Sequence, residues 1–214
     1  MIIAIDGPAA SGKGTLAKRL AAHFGLPHLD TGMLYRGVAR QMLDEGARLE
    51  DVDAAAGFAL SFEPGLIDDE RLRGREMGEA ASVVAAHPPV RAALLALQRA
   101  FAEQPGGAVL DGRDIGTVIC PGADIKLFVT ATPEVRARRR ALELAGRGEP
   151  VDEAAILLDI RQRDARDSQR DAAPLVKADD AVVIDTSALD VAGVVASALA
   201  IIAGKRHRII SSFQ

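Results

Sequence analysis

The chain has 214 residues, 49% hydrophobic and 26% charged, which suits one α/β domain with a full core. A net charge of −4 gives no global field for nucleic acid, and no apolar run reaches the ~20 residues needed to span a bilayer. The first residues lack the basic stretch of a signal peptide, and the lone Cys120 cannot close an internal disulfide, so a cytoplasmic protein using neither nucleic acid nor membrane is expected.

The apolar run Ile2–Asp6 reads as a buried strand. It breaks into Gly7-Pro8-Ala9-Ala10-Ser11-Gly12-Lys13-Gly14-Thr15, and a helical pattern follows from Lys13 to Phe24. A strand, a glycine-rich loop and a helix start in that order aim several backbone N–H groups and one lysine at a single point, a cradle for polyphosphate. Strand candidates at Pro27–Leu29, Ala108–Asp111, Ile125–Val129 and Ala181–Ile184 alternate with helical patterns at Met33–Glu45, Glu76–Ala86, Val90–Glu103, Pro133–Ala145, Val151–Asp167 and Asp190–Ala203. Short apolar strands alternating with helices predict a five-stranded parallel sheet covered on both faces, a three-layer α/β fold. Ligands bind such sheets at the carboxyl ends of the strands.

Two stretches interrupt the alternation. Between Phe58 and Gly78, Glu63-Pro64-Gly65 and Asp68-Asp69-Glu70 read as a turn and a hairpin-like excursion. Gly146-Arg147-Gly148-Glu149-Pro150 reads as a lid hinge between two helices, and Lys205–Arg208 as a solvated helix end.

Twenty-one arginines against five lysines admit two explanations, a GC-rich genome or planar recognition of phosphate, so only arginines in meaningful positions count. Asp30-Thr31-Gly32 after the second strand reads as a helix cap, with Arg36 one turn on and able to face the loop. Asp111-Gly112-Arg113-Asp114-Ile115-Gly116-Thr117 sets an acid and a base side by side at a strand end, which a simple turn does not need. Arg163, Arg166 or Asp167, and Arg170 share a helix face, as do Arg136, Arg139 and Arg140. Solvated salt bridges would explain either row alone; two rows flanking a lid favour phosphate clamping. The four histidines lie apart in sequence and suit surface or capping roles.

Phosphoryl transfer asks the protein for positioning and charge neutralisation. A phosphate acceptor is already anionic near its second pKa of ~6 and needs no general base, whereas a hydroxyl does. Many arginines without a His–carboxylate pair favour the phosphate acceptor.

From the first strand to the last helix the chain resembles the bacterial cytidylate kinases, nucleoside monophosphate kinases that share the Gly-Lys-Gly-Thr loop form. The resemblance rests on that loop, Asp30-Thr31-Gly32 with Tyr35-Arg36, Ala80–Ala85, Pro89-Val90-Arg91, Asp111–Thr117, and Arg163–Asp167 with Arg170 and Ala172–Leu175. It implies a P-loop kinase fold with a monophosphate-binding region over about 31–104 and a lid over about 136–166, within one domain 1–214. It also implies ATP-dependent phosphorylation of CMP and dCMP. Gly7 to Thr15 would then hold the ATP phosphates, with Lys13 on the transferring group, Thr15 near Mg²⁺, and Arg136 and Arg163 among the catalytic cations. Ser82, Arg91 and Asp114 match cytosine-reading positions, and Thr31 keeps a hydroxyl where Ser is common. Arg36 and Arg113 match acceptor-phosphate ligands, Arg163 and Asp167 ribose and phosphate contacts, and Arg170 belongs to the same row.

Other readings are a small-metabolite P-loop kinase of the shikimate kinase type and a non-catalytic nucleotide-binding regulator. A GTPase-like switch lacks an Asn-Lys-x-Asp motif. With no apolar surface stripe in the sequence, a monomer is expected.

Overall fold

The computed structural model describes residues 1–63 and 70–211, with the side chains of 206–211 outside the description. Five strands, β1 (Ile2–Asp6), β2 (His28–Asp30), β3 (Ala108–Gly112), β4 (Ile125–Thr130) and β5 (Val182–Asp185), form one parallel sheet in the order β2-β3-β1-β4-β5. The alternation of strand side chains divides the core. Ala4 and Leu110 face one layer, while Ile3, Ile5 and Val109 face the other. Both faces are apolar because both are covered, as parallel crossovers require.

Helices α1 (Lys13–Phe24) and α8 (Val191–Ser211) pack together on the Ile3–Ile5 face. The opposite face carries α2 (Thr31–Asp44), α3 (Val52–Leu60), α4 (Arg75–Val84) and α5 (Pro88–Ala102). Helices α6 (Pro133–Ala145) and α7 (Glu153–Gln169) build a small core of their own around Ala137, Ala141, Leu144, Ile156 and Ile160. The break between them falls at the expected Gly146–Pro150 segment, where Gly148 takes φ +74°.

The strands and most helices fall within a residue or two of their expected limits. Helix α3 was not among the expected helices. Its Ala54-Ala55-Ala56-Gly57 run has little apolar periodicity, and its start comes from Asp51, whose side chain accepts from Ala54 N at 3.0 Å. Of the expected excursion between Phe58 and Gly78, residues 64–69 lie outside the described residues, and Glu70–Leu72 forms a 3-10 turn. The reading of Arg206–Arg208 as solvated side chains also lies outside them. Among the described residues, no single helix is long and apolar enough to cross a membrane.

Candidate active site

The loop between β1 and α1 is shaped by close backbone approach. A Cβ on Gly7 would lie 2.0 Å from the Val129 carbonyl oxygen at the end of β4, so only glycine fits. Gly12, at φ +92°, enters α1 without a side-chain cap, leaving the first amides of the helix available to an anion. Lys13 folds back so that Nζ donates to the Pro8 carbonyl at 3.5 Å. Burial, then the charge of Arg113, lowers the lysine to about 8, and a polyphosphate at the loop would reverse that.

Across the sheet edge, β2 and β3 bring Asp30 and Asp111 level with one another. Asp30 caps α2 through Gly32 N at 2.9 Å, and burial together with the Asp111 charge raises its pKa. Asp111 is buried, takes a 2.8 Å contact from His28 Nε2, and lies beneath Gly14, whose Cβ would stand 3.7 Å from Oδ2. His28 therefore serves this cluster rather than the surface. Thr31 donates to the Asp111 carbonyl at 2.9 Å, pinning α2 to β3.

Two buried carboxylates organise the rest. Asp114 hydrogen-bonds Arg91 and stands 3.7 Å from Arg170, while the Arg91 guanidinium lies 5.5 Å over the Tyr35 ring. Asp167 accepts from Arg113 Nε at 2.9 Å and from the Ser82 hydroxyl at 3.3 Å, with Arg163 Nε 3.8 Å away. Burial pushes Asp167 up, but Arg113, Arg163 and Arg170 outweigh it and hold it below the ordinary carboxylate range. Arg163 is pushed down to about 10 by burial and by Arg113. Burial likewise lowers Arg36, whose Nη1 donates to the Leu72 carbonyl at 2.7 Å. Above Gly78 the two guanidinium groups converge, since a Cβ there would lie 3.2 Å from Arg163 and 3.4 Å from Arg36. Two half-buried cations this close favour an oxyanion between them.

These groups line one cleft of about 450 Å³. It brings together Lys13, Thr15, Thr31, Arg36, Ser82, Arg91, Arg113, Asp114, Arg163, Asp167 and Arg170. Gly7 and Pro8 shape the loop from behind. Arg136 does not line the cleft. Its guanidinium takes both carboxylate oxygens of Asp164 at 3.0 and 2.5 Å, the Ala131 carbonyl at 2.9 Å and the Ala9 carbonyl at 3.3 Å. From the same helix, Arg140 faces in instead, and the sequence row could not say which of the three would.

A second cleft of about 500 Å³ opens on the other side of the loop, walled by Leu189, Val194 and Val195. Arg139 crosses it to Thr186 Oγ1 at 2.8 Å and to the Thr186 carbonyl at 2.7 Å. No motif marked this surface, because apolar helix residues and a Thr-Ser pair carry no signal of their own. At the mouth of the first cleft, ion pairs Arg75–Asp159 and Arg166–Glu79 join α4 to α7.

The sequence model of one family, described as Cytidylate kinase, matches residues 3–204. A cytidylate kinase from Methylocella silvestris is 67% identical over 202 residues, covering 94% of each chain. One from Xanthobacter autotrophicus is 65% identical, covering 96% of this chain and 99% of its own. Among solved structures, a gluconokinase from Sinorhizobium meliloti superposes with a TM-score of 0.53 at 17% identity, over 99% of this chain and 97% of its own, a likeness of fold alone.

Proposed function

The chain belongs to the cytidylate kinase family, and from that membership we propose that its first cleft carries a phosphoryl group from ATP to the phosphate of CMP or dCMP. It is a phosphotransferase, and the cytidylate acceptor explains the cleft's contents. The observation that carries the reading is the cleft itself, in which the loop lysine and two carboxylates, each held between arginines, face one space.

In this reading the amides of Gly12 to Thr15 and Lys13 hold the β- and γ-phosphates of the donor. The second cleft takes the donor's nucleoside, with Arg139 over an apolar wall. Arg36, Arg113 and Arg163 neutralise the acceptor phosphate and the charge that spreads over the transferring group. The acceptor oxygen is anionic, so no base is needed, and Asp114 and Asp167 are spent on arginines rather than poised to take a proton.

Asp114 takes the N4 amine of cytosine while Arg91 and Ser82 donate to its acceptor edge. Uracil turns a carbonyl towards Asp114 and leaves a buried carboxylate poorly paired, a cost of roughly 1–3 kcal/mol or more. Asp167 faces the ribose. Residues 31–104 form the monophosphate-binding region and 136–166 the lid.

Mg²⁺ fits this donor set. It keeps most of its water and phosphate ligands and asks few of the protein, and Thr15 and Asp30, which line the same cleft, offer a hydroxyl and negative charge. When bound it neutralises phosphate oxygens; the rest of the positioning belongs to the residues above. The residues given these roles all come from one chain, so a monomer suffices for the proposed reaction.

The test is ADP release with ATP and Mg²⁺ against CMP, dCMP, UMP, AMP and shikimate, with Lys13→Ala as control. Turnover confined to the cytidine nucleotides and dependent on Lys13 is expected. Turnover on shikimate, or ATP binding without turnover, would overturn the reading.

A further inference from the structure

Five aspartates stand directly before helices among the described residues, and one behaves unlike the others. Asp30, Asp51, Asp152 and Asp190 each turn their carboxylates back to accept the first free amides of their own helices. That is the ordinary reason for finding aspartate there. Asp114 precedes a single π-helical turn, Ile115–Ile119, and makes no such bond. Its carboxylate points instead at Arg91 and Arg170, in the cleft.

The amides that Asp114 leaves free are not orphaned. Asp6, the last residue of β1, reaches across the sheet end, and its two oxygens accept from Ile115 N and Gly116 N, each at 2.7 Å. The fit is close: a Cβ on Gly116 would lie 3.3 Å from Asp6 Oδ2 and 3.1 Å from the Lys126 stem. Asp6 is 5% exposed, and burial pushes it up to about 6 even though both amides pull the other way. The fold keeps a costly carboxylate where a neutral group would sit more comfortably.

We propose that Asp6 is a positioning residue for base recognition: by capping the turn after β3 in place of Asp114, it leaves the Asp114 carboxylate free for the cytosine amine. The inference rests on Asp114 reading cytosine, as proposed above. Without the Asp6 acceptors, two buried amides lose their partners, and the nearest carboxylate of the preferred capping type is Asp114. Once Asp114 turns to cap, it leaves Arg91 and no longer distinguishes an amine from a carbonyl. Because Asp6 is also the residue before Gly7, the same side chain ties the donor loop to the acceptor's base pocket.

The experiment measures kcat/KM for CMP and UMP, and KM for ATP, in wild type, Asp6→Ala, Asp6→Asn, Asp114→Ala and the Asp6→Ala/Asp114→Ala double variant. The CMP-to-UMP ratio is expected to fall about tenfold or more in Asp6→Ala and less in Asp6→Asn, which keeps one acceptor. KM for ATP should stay within about twofold, and adding Asp6→Ala to Asp114→Ala should lower the ratio no further than Asp114→Ala does alone. If Asp6→Ala fails to fold, Asp6→Asn and Gly116→Ala decide. Gly116→Ala crowds the Asp6 carboxylate without touching its charge and should lower the ratio severalfold. A ratio that falls in Asp114→Ala but survives in every Asp6 and Gly116 variant overturns the present proposal alone. A ratio unmoved by Asp114→Ala overturns the cytosine reading, and this proposal with it.

Discussion

Arg136 of α6 and Arg163 of α7 come from adjacent helices and meet opposite treatment. Arg136 is 3% exposed with Asp164 and two carbonyls around its guanidinium. Arg163 faces Arg36 and Arg113, its nearest carboxylate oxygen is 3.8 Å away, and its buried Nε has no hydrogen-bond partner. A buried cation whose donors are filled belongs to the fold. One left short of partners beside other cations suits a ligand's negative charge, the role proposed for Arg163.

Exchanging the two for alanine should separate those roles. Arg163→Ala is expected to cost about 10²–10³ in kcat, the scale for losing one group that meets transition-state charge, while the melting temperature stays level or rises. Arg136→Ala strands Asp164, which is 28% exposed, so a loss of about 2–3 kcal/mol is expected. In a chain of this length that lowers the melting temperature by about 5–10 °C, with turnover per folded molecule largely kept. Calorimetry beside steady-state kinetics checks both. Equal losses of turnover with unchanged melting would erase the distinction.

That distinction was not legible in the sequence. The spacing of Arg136, Arg139 and Arg140 placed them on one face, but neighbouring positions on a helix face differ by ~40° or more, and the partner Asp164 lies 28 residues away. The P-loop could be read because its function resides in backbone geometry that Gly7, Gly12 and Lys13 fix locally. The sheet could be read for a similar reason: each buried strand is a short apolar run ending at a polar residue. Arg113 and Asp114 stood out because a turn does not need them. Ser82 looked like any small helix residue and entered only through resemblance. Nothing marked Asp6, since a strand ending in aspartate is common and its partners, Ile115 and Gly116, are more than a hundred residues away.

Asp114, partnered by Arg91 and Arg170 yet lining the cleft, carries the comparison to selectivity. Asp114→Ala should narrow the gap between CMP and UMP by about 10–100-fold, mostly through loss of CMP use, as expected for a hydrogen-bonding site robbed of its acceptor. Competition assays with both nucleotides read this directly, and an unchanged preference would return Asp114 to the filled, structural class.

Lys13 offers a smaller signal of the same kind. Burial and then Arg113 lower it to about 8, so above that pH the ligand-free chain holds a neutral amine. A polyphosphate favours the charged form, so donor binding near pH 9 should take up a fraction of a proton. Calorimetric titration in two buffers of different ionisation enthalpy measures the uptake, which Lys13→Met should abolish. Binding without proton uptake in wild type would mean that the amine is already partnered.

Asp6 and Asp167 carry the contrast into stability, with opposite signs. Burial raises Asp6 from the ordinary 3.8 to about 6, so between those values the folded chain holds a proton that the unfolded chain has lost. Its contribution is most favourable below pH 3.8 and is lost as pH rises through about 6, a change of about 3 kcal/mol. Asp167 is burdened by burial but held below 3.8 by Arg113, Arg163 and Arg170, so it stabilises above that pH, and the benefit disappears only as acid protonates the folded form. Chemical denaturation of Asp6→Asn beside wild type should therefore show the variant gaining relative stability from pH 4 to 7 and levelling off above. Asp167→Asn should instead lose ground at neutral pH and recover it in acid. An Asp6 difference flat with pH would mean that the two amides at 2.7 Å already compensate the buried charge, and that retaining Asp6 costs the fold nothing.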